Sequence, residues 1–175
     1  RKLELENIPF RVNMVLSPTL LAMLSDELLC ERYIEYLDNQ IELAQKERRR
    51  LAGDPVFEPL ADLYFAMYSR SREEFEDLYG RNIIRAFDYF SKKGYIELMT
   101  TAATHAFLPT YSDIPEAIDA QIESAIIAHR MEFGKNPSGF WLPQLGWYPG
   151  LEKHLRAYNL KYTIVTTKGA LLGSP

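Results

Sequence analysis

The stretch Gly139-Phe-Trp-Leu-Pro-Gln-Leu-Gly-Trp-Tyr-Pro-Gly150 decides the fold. Phe140 to Leu142 is a short apolar run, which reads as a strand. Pro143 to Pro149 is a loop, and Pro149 to Tyr158 reads as a short helix with Leu151 and Leu155 turned inward. Strand, loop and helix in immediate succession are the repeating step of a parallel α/β layer, in which functional residues gather at the carboxyl ends of the strands. Trp141 stands on this strand, and Gln144 and Trp147 occupy the loop that follows it.

The same alternation extends in both directions. Upstream, Phe10 to Leu16 is rich in strand formers and is stopped by Ser17-Pro18. A long helix follows, with Ser25 predicted as its N-cap and Leu29, Tyr33, Leu37, Ile41 and Ala44 at helical spacing. Lys46, Arg48, Arg49 and Arg50 lie in its last turns, where positive charge suits the helix dipole, so they read as a solvated helix end. Two further helices are predicted over Pro55 to Tyr79 and Asn82 to Lys93, the first carrying Phe57, Leu60, Tyr64 and Met67. Tyr95 to Thr100 is the next strand and contains Glu97; a loop with His105 leads to a helix from Pro115 to Gly134. That helix presents Ile118, Ile122, Ala125, Ile126, His129 and Phe133 on one face, so His129 reads as a core-edge residue. Tyr162 to Thr167 is the last strand, and Thr166 to Gly169 follows it. Glu97, His105, the Gln144 and Trp147 loop, and Thr166 to Gly169 are expected to converge in space.

Composition narrows the function classes. With 47% hydrophobic and 25% charged residues in 175, the chain reads as one ordinary globular domain, residues 1–175. Its net charge of -4 supplies none of the basic excess that drives nucleic-acid affinity. A lone cysteine, Cys30, forms no internal disulfide, no apolar run has the length of a membrane span, and no signal-peptide core follows Arg1; the expected location is the cytoplasm, with no membrane or nucleic-acid partner. His105, His129 and His154 form no i, i+4 pair, so no metal and no cofactor are expected. Aromatic residues make up 13% of the chain, a supply of flat faces that serve either cores or sugar-binding clefts.

The residues also resemble a known family. The 139 to 150 segment is similar to the motif of glycoside hydrolase family 57, branching-enzyme type, in which Trp-Leu-Pro precedes a catalytic Glu and Pro-Gly closes the stretch. Gly94-Tyr-Ile-Glu-Leu-Met-Thr-Thr-Ala-Ala-Thr-His-Ala-Phe-Leu-Pro109 resembles a second conserved region of that family, and Leu16-Ser17-Pro18 with its helices follows the family order. The resemblance implies a partial seven-stranded (β/α) barrel of parallel strands, with a helical excursion between the first two strands of this fragment. It implies a retaining reaction on α-1,4-glucan, such as amylose, glycogen or starch-like chains, with a Glu nucleophile and an Asp acid/base. Gln144 then falls at the nucleophile position, and Glu97, His105, Trp141 and Trp147 match supporting or substrate-lining positions. The first-strand His motif would precede Arg1 and the acid/base Asp would follow Pro175, so the chain reads as the middle of a barrel.

Two departures stand out. Gln144 has nearly the shape of Glu but no anionic oxygen, so it neither forms a glycosyl ester nor offsets oxocarbenium charge. In Val165-Thr-Thr-Lys-Gly169, Thr166 and Lys168 replace the Asp and His of the family's usual Asp-Thr-His-Gly. Together with Leu145 these changes read as natural divergence rather than a single engineered substitution. Two readings result: a branching-enzyme-like glucan-processing domain, and a non-catalytic glucan-binding or regulatory pseudoenzyme.

Overall fold

The computed structural model describes residues 1–172. Four strands, β1 (Val12–Val15), β2 (Ile96–Thr101), β3 (Gly139–Trp141) and β4 (Tyr162–Thr163), form one sheet in the order β1-β2-β3-β4, every neighbouring pair parallel. Parallel strands in sequential order are the arrangement from which (β/α) barrels are wound. The last strand is shorter than the Tyr162 to Thr167 run predicted. Thr166 accepts the Gly169 N–H on its hydroxyl at 3.0 Å and Thr167 already begins a helix, so local capping takes the chain out of the sheet.

The helices are α1 (Lys2–Leu5), α2 (Pro18–Ser25), α3 (Glu27–Arg50), α4 (Glu58–Glu73), α5 (Ile83–Lys92), α6 (Pro115–Phe133), α7 (Leu151–Ala157) and α8 (Thr167–Leu172), with a π-turn continuing α4 over Glu74–Leu78. Ser17-Pro18 both stops β1 and opens α2: the Ser17 hydroxyl accepts the Leu20 N–H at 3.1 Å, and Pro18 takes the first helical position. Because Ser25 completes α2, the N-cap of α3 is Asp26 and not Ser25; its carboxylate accepts the Leu29 N–H at 2.8 Å. Among the described residues, no helix is long and apolar enough to cross a membrane.

The chain divides into two compact units. Met23–Ala86, inserted in sequence between β1 and β2, is built on α3 and α4. The pairs Arg48–Asp62 and Arg72–Asp38 show that these two helices run antiparallel. Their contact is made by Leu37 and Ala44 on α3 and Ala61 on α4, all buried. Phe57, Leu60, Tyr64 and Met67, whose spacing predicted a helix, are 44–53% exposed instead, because the small Ala61 occupies the contact face.

The other unit, Arg1–Ala22 and the chain from Phe87 onward, carries the sheet. One sheet face is covered: Phe140 lies in a cluster with Ile118, Ile122, Ala125 and Ile126 of α6 and Leu151 and Leu155 of α7. All six inward positions predicted for α6 are buried, and Gly134 ends the helix at φ 69°. His129 is wholly buried, its Nδ1 3.0 Å from the Lys135 carbonyl and its ring 4.8 Å from that of Phe133.

Burial holds the imidazole of His129 below its ordinary pKa. The unfolded chain therefore binds this proton at a pH where the folded chain does not, so the folded state loses stability as the pH falls below the ordinary histidine value of about 6.5. Urea midpoints between pH 7.5 and 5 are expected to fall, with a shallower slope in His129→Asn, which keeps a donor for the Lys135 carbonyl. An identical slope in both proteins would contradict this.

Candidate functional site

The second face of the sheet is different in kind. Register and alternation place Asn13 and Val15, then Glu97, Met99 and Thr101, then Gly139 and Trp141, then Tyr162 on this face. Asn13 donates its amide to the Met99 sulfur at 3.7 Å. An added Cβ on Gly139 would stand 2.5 Å from the Tyr162 ring, so the missing side chain is what lets that ring lie across β3. Burial, and the Glu97 carboxylate beside it, push the Tyr162 phenol well above its ordinary pKa. Glu97 is thus the second residue of β2, in the amino-terminal half of the sheet, beside Tyr162.

The carboxyl ends of β2 and β3 carry two loops whose ends are fixed in the core. Ala102 and Leu108 bracket the first, Leu142 and Leu151 the second, and all four side chains have no exposed surface. The first loop is further tied to α6, where Gln121 accepts the Ala103 N–H on its carbonyl and the Thr104 N–H on its side-chain oxygen. His105 sits at the exposed bend of that loop with φ 57°. Thr101, buried at 2% exposure, donates its hydroxyl to the Trp141 carbonyl at 2.8 Å and joins the two strand ends.

The second loop holds the most constrained backbone of the unit. Gln144 and Leu145 are consecutive non-glycine residues with φ of 53° and 55°, in the left-handed region that side chains disfavour. Two tight turns hold them there, Leu145 N–H to Leu142 carbonyl at 2.9 Å and Gly146 N–H to Pro143 carbonyl at 3.0 Å. Gln144 consequently projects from a rigid bend, exposed, and Trp147 beyond it is 47% exposed while Trp141 is half-buried. Past the loop, Gly150 takes φ 108° and donates its N–H to Glu152 at 2.9 Å. Glu152 is held below the usual carboxylate range by its own and the Gly150 backbone N–H groups, and its carboxylate supports the amino end of α7.

The structure therefore brings together the ends of β2 and β3 and their loops, with Trp141, Gln144, Trp147 and the His105 loop. Glu97 lies about 13 Å down the strand from Thr101 at ~3.3 Å per residue, away from that end. Thr166 caps α8 through its hydroxyl. Thr101, Phe107 and Gln121 also hold these loop ends; the first two lie within the Gly94 to Pro109 motif, where neither residue type nor spacing marks their contacts in the sequence. Because Gln144 is exposed and strained, Gln144→Gly is expected to raise the chemical-denaturation midpoint, by about 1 kcal/mol in stability, as left-handed strain is relieved. An unchanged or lowered midpoint would contradict strain at this residue.

Comparison with known proteins follows the same lines. The family model described as Glycosyl hydrolase family 57 matches residues 3–174. The 1,4-alpha-glucan branching enzyme TK1436 of Thermococcus kodakarensis is 26% identical over 92% of this chain and 25% of its own length. Its crystal structure, in complex with glucose and additives, superposes with a TM-score of 0.84 over 95% of this chain and 32% of that one. The alpha-amylase AmyC of Thermotoga maritima gives a TM-score of 0.86 at 35% identity, covering 89% of this chain and 30% of that one. A branching enzyme from Pyrococcus horikoshii shares the fold at 24% identity with a TM-score of 0.85, over 93% of this chain and 33% of that one. The chain thus spans about a quarter to a third of the length of these relatives, and its four-stranded parallel α/β fold matches part of theirs. From its strand–turn motif to its fold, the chain belongs to glycosyl hydrolase family 57.

Proposed function

We propose that these residues form the α-glucan-facing arc of a branching-enzyme-like barrel and that, with Gln144 at the nucleophile position, the site binds α-1,4-glucan while transferring little of it. The observation that carries this reading is the exposed Gln144 on a rigid left-handed bend at the carboxyl end of β3, where family 57 enzymes are expected to carry their nucleophile. Strained, exposed residues at the end of a parallel strand are characteristic of sites that act on ligands.

The chemistry follows from the side chains. A retaining reaction needs a carboxylate that attacks the anomeric carbon and a second carboxyl group about 5 Å away. The Gln144 amide donates and accepts hydrogen bonds, which suits sugar hydroxyls, but it has no charge to stabilise an oxocarbenium ion and forms no glycosyl ester. Glu97, the carboxylate on the same sheet face, stands too far down the strand to replace it. The exposed ring of Trp147 offers an apolar face for a glucose ring. Relatives of this chain include enzymes named for building or cutting α-glucans, which supports the substrate class.

Trp141 and Trp147 both flank the Gln144 turn, so the part of the intrinsic fluorescence that a Trp147→Phe variant loses reports on it. Titration of the full-length protein with maltoheptaose is expected to give a saturable change, and an iodine-stain branching assay to show little activity. Gln144→Glu is expected to raise branching activity. Strong branching by the wild type would overturn the impaired-catalysis reading, and no fluorescence response to maltoheptaose would overturn the glucan reading.

A further inference from the structure

Gly146 follows the left-handed pair, yet its own backbone, φ -69° and ψ 121°, is one that any residue adopts. The need for glycine comes from a neighbour. A Cβ at this position would stand 2.4 Å from Cε2 of Phe107 and 3.0 Å from Cδ of Pro109. The Phe107 ring therefore rests directly on the Gly146 backbone, whose N–H closes the second tight turn on the Pro143 carbonyl. Phe107 is itself firmly seated: the next residue, Leu108, is wholly buried in the core, and the Thr110 N–H bonds back to the Phe107 carbonyl at 3.1 Å. The ring is 46% exposed on its other side, so it covers the turn from the solvent side of the loop pair.

We propose that Phe107 is a positioning residue for the Gln144 turn. Its ring shields the Gly146 N–H bond from water and holds the Gln144–Leu145 pair in the left-handed region, which fixes where Gln144 and Trp147 stand toward a bound α-glucan. The shielding strengthens a turn bond that must offset the strain of two side-chain-bearing residues. The consequence for ligand binding rests on the function proposed above; the clamp itself does not.

The test combines Phe107→Ala, Phe107→Tyr, Gly146→Ala and the Phe107→Ala/Gly146→Ala double variant in the full-length protein. Acrylamide quenching of Trp147, taken as the difference between each protein and its Trp147→Phe counterpart, reads the turn without any ligand. Quenching is expected to rise in Phe107→Ala and in Gly146→Ala and to stay at the wild-type value in Phe107→Tyr. In the double variant the added methyl group enters space the ring has left, so Gly146→Ala is expected to cost less there than alone. Maltoheptaose affinity is expected to fall about tenfold in Phe107→Ala, the order of loss that follows from one displaced hydrogen-bonding group, and to be retained in Phe107→Tyr. Unchanged quenching in Phe107→Ala, or an equal cost of Gly146→Ala in both backgrounds, would overturn the proposal. Should Phe107→Ala fail to fold, the thermal midpoints of Gly146→Ala and the double variant decide: recovery supports the clamp and further loss overturns it. A wild type silent to maltoheptaose would refute the glucan reading alone, since the quenching comparison still tests the clamp.

Discussion

Two neighbouring residues with side chains, Gln144 and Leu145, are held at positive φ, a conformation that costs about 1–3 kcal/mol at each such position. A bend of this kind persists only where its surroundings over-determine it. Here the strands, the core and the preceding loop all contribute. Leu142 and Leu151 fix the two ends of the loop in the apolar cluster, Thr101 binds the Trp141 carbonyl where β3 ends, and Phe107 covers Gly146. The bend spends part of the stability supplied by the α6 and α7 packing to aim one amide side chain outward.

That division of labour extends across the sheet. The face carrying Phe140 is closed by helices over an apolar cluster, with the buried Thr100 hydroxyl donating to the Leu16 carbonyl, whereas the face carrying Asn13, Glu97, Thr101, Trp141 and Tyr162 bears most of the polar and aromatic groups. Along this second face there are two levels. Near the amino ends of the strands, Tyr162 fills the space left at Gly139 and lies beside Glu97; at the carboxyl ends stand Trp141, Gln144 and Trp147. The Glu97 carboxylate at the lower level is exposed beside Tyr162 and does not reach the upper one. In the function proposed above, Gln144 defines the chemistry of the upper level, where an amide favours holding a sugar over cleaving its bond.

What could be read in advance depended on how local the cause was. Helix α6 was legible from Pro115 to Gly134 because a start signal, a 3.6-residue apolar period and a left-handed glycine stop all act within one segment. Helix α2 is not legible in the sequence because Pro18, which stops the strand before it, equally suits a first helical turn. The Phe57, Leu60, Tyr64 and Met67 stripe announced a helix but not which side α3 would take, since Ala61 gives the closer approach. The candidates Gln144, Trp141 and Trp147 all come from one short motif. The Phe107 contact on Gly146 was not legible, because it joins two loops separated by the whole of α6 and leaves only a glycine of ordinary backbone geometry as its trace.

A crystal structure of the full-length protein with maltoheptaose bound tests the role of the Gln144 turn most directly. A glucose ring is expected at the carboxyl ends of β2 and β3, with the Gln144 amide hydrogen-bonded to it, Trp147 against a sugar face, and Gln144 and Leu145 still at positive φ. A sugar bound elsewhere, or a Gln144 turn relaxed to negative φ and out of contact with the ligand, would contradict it.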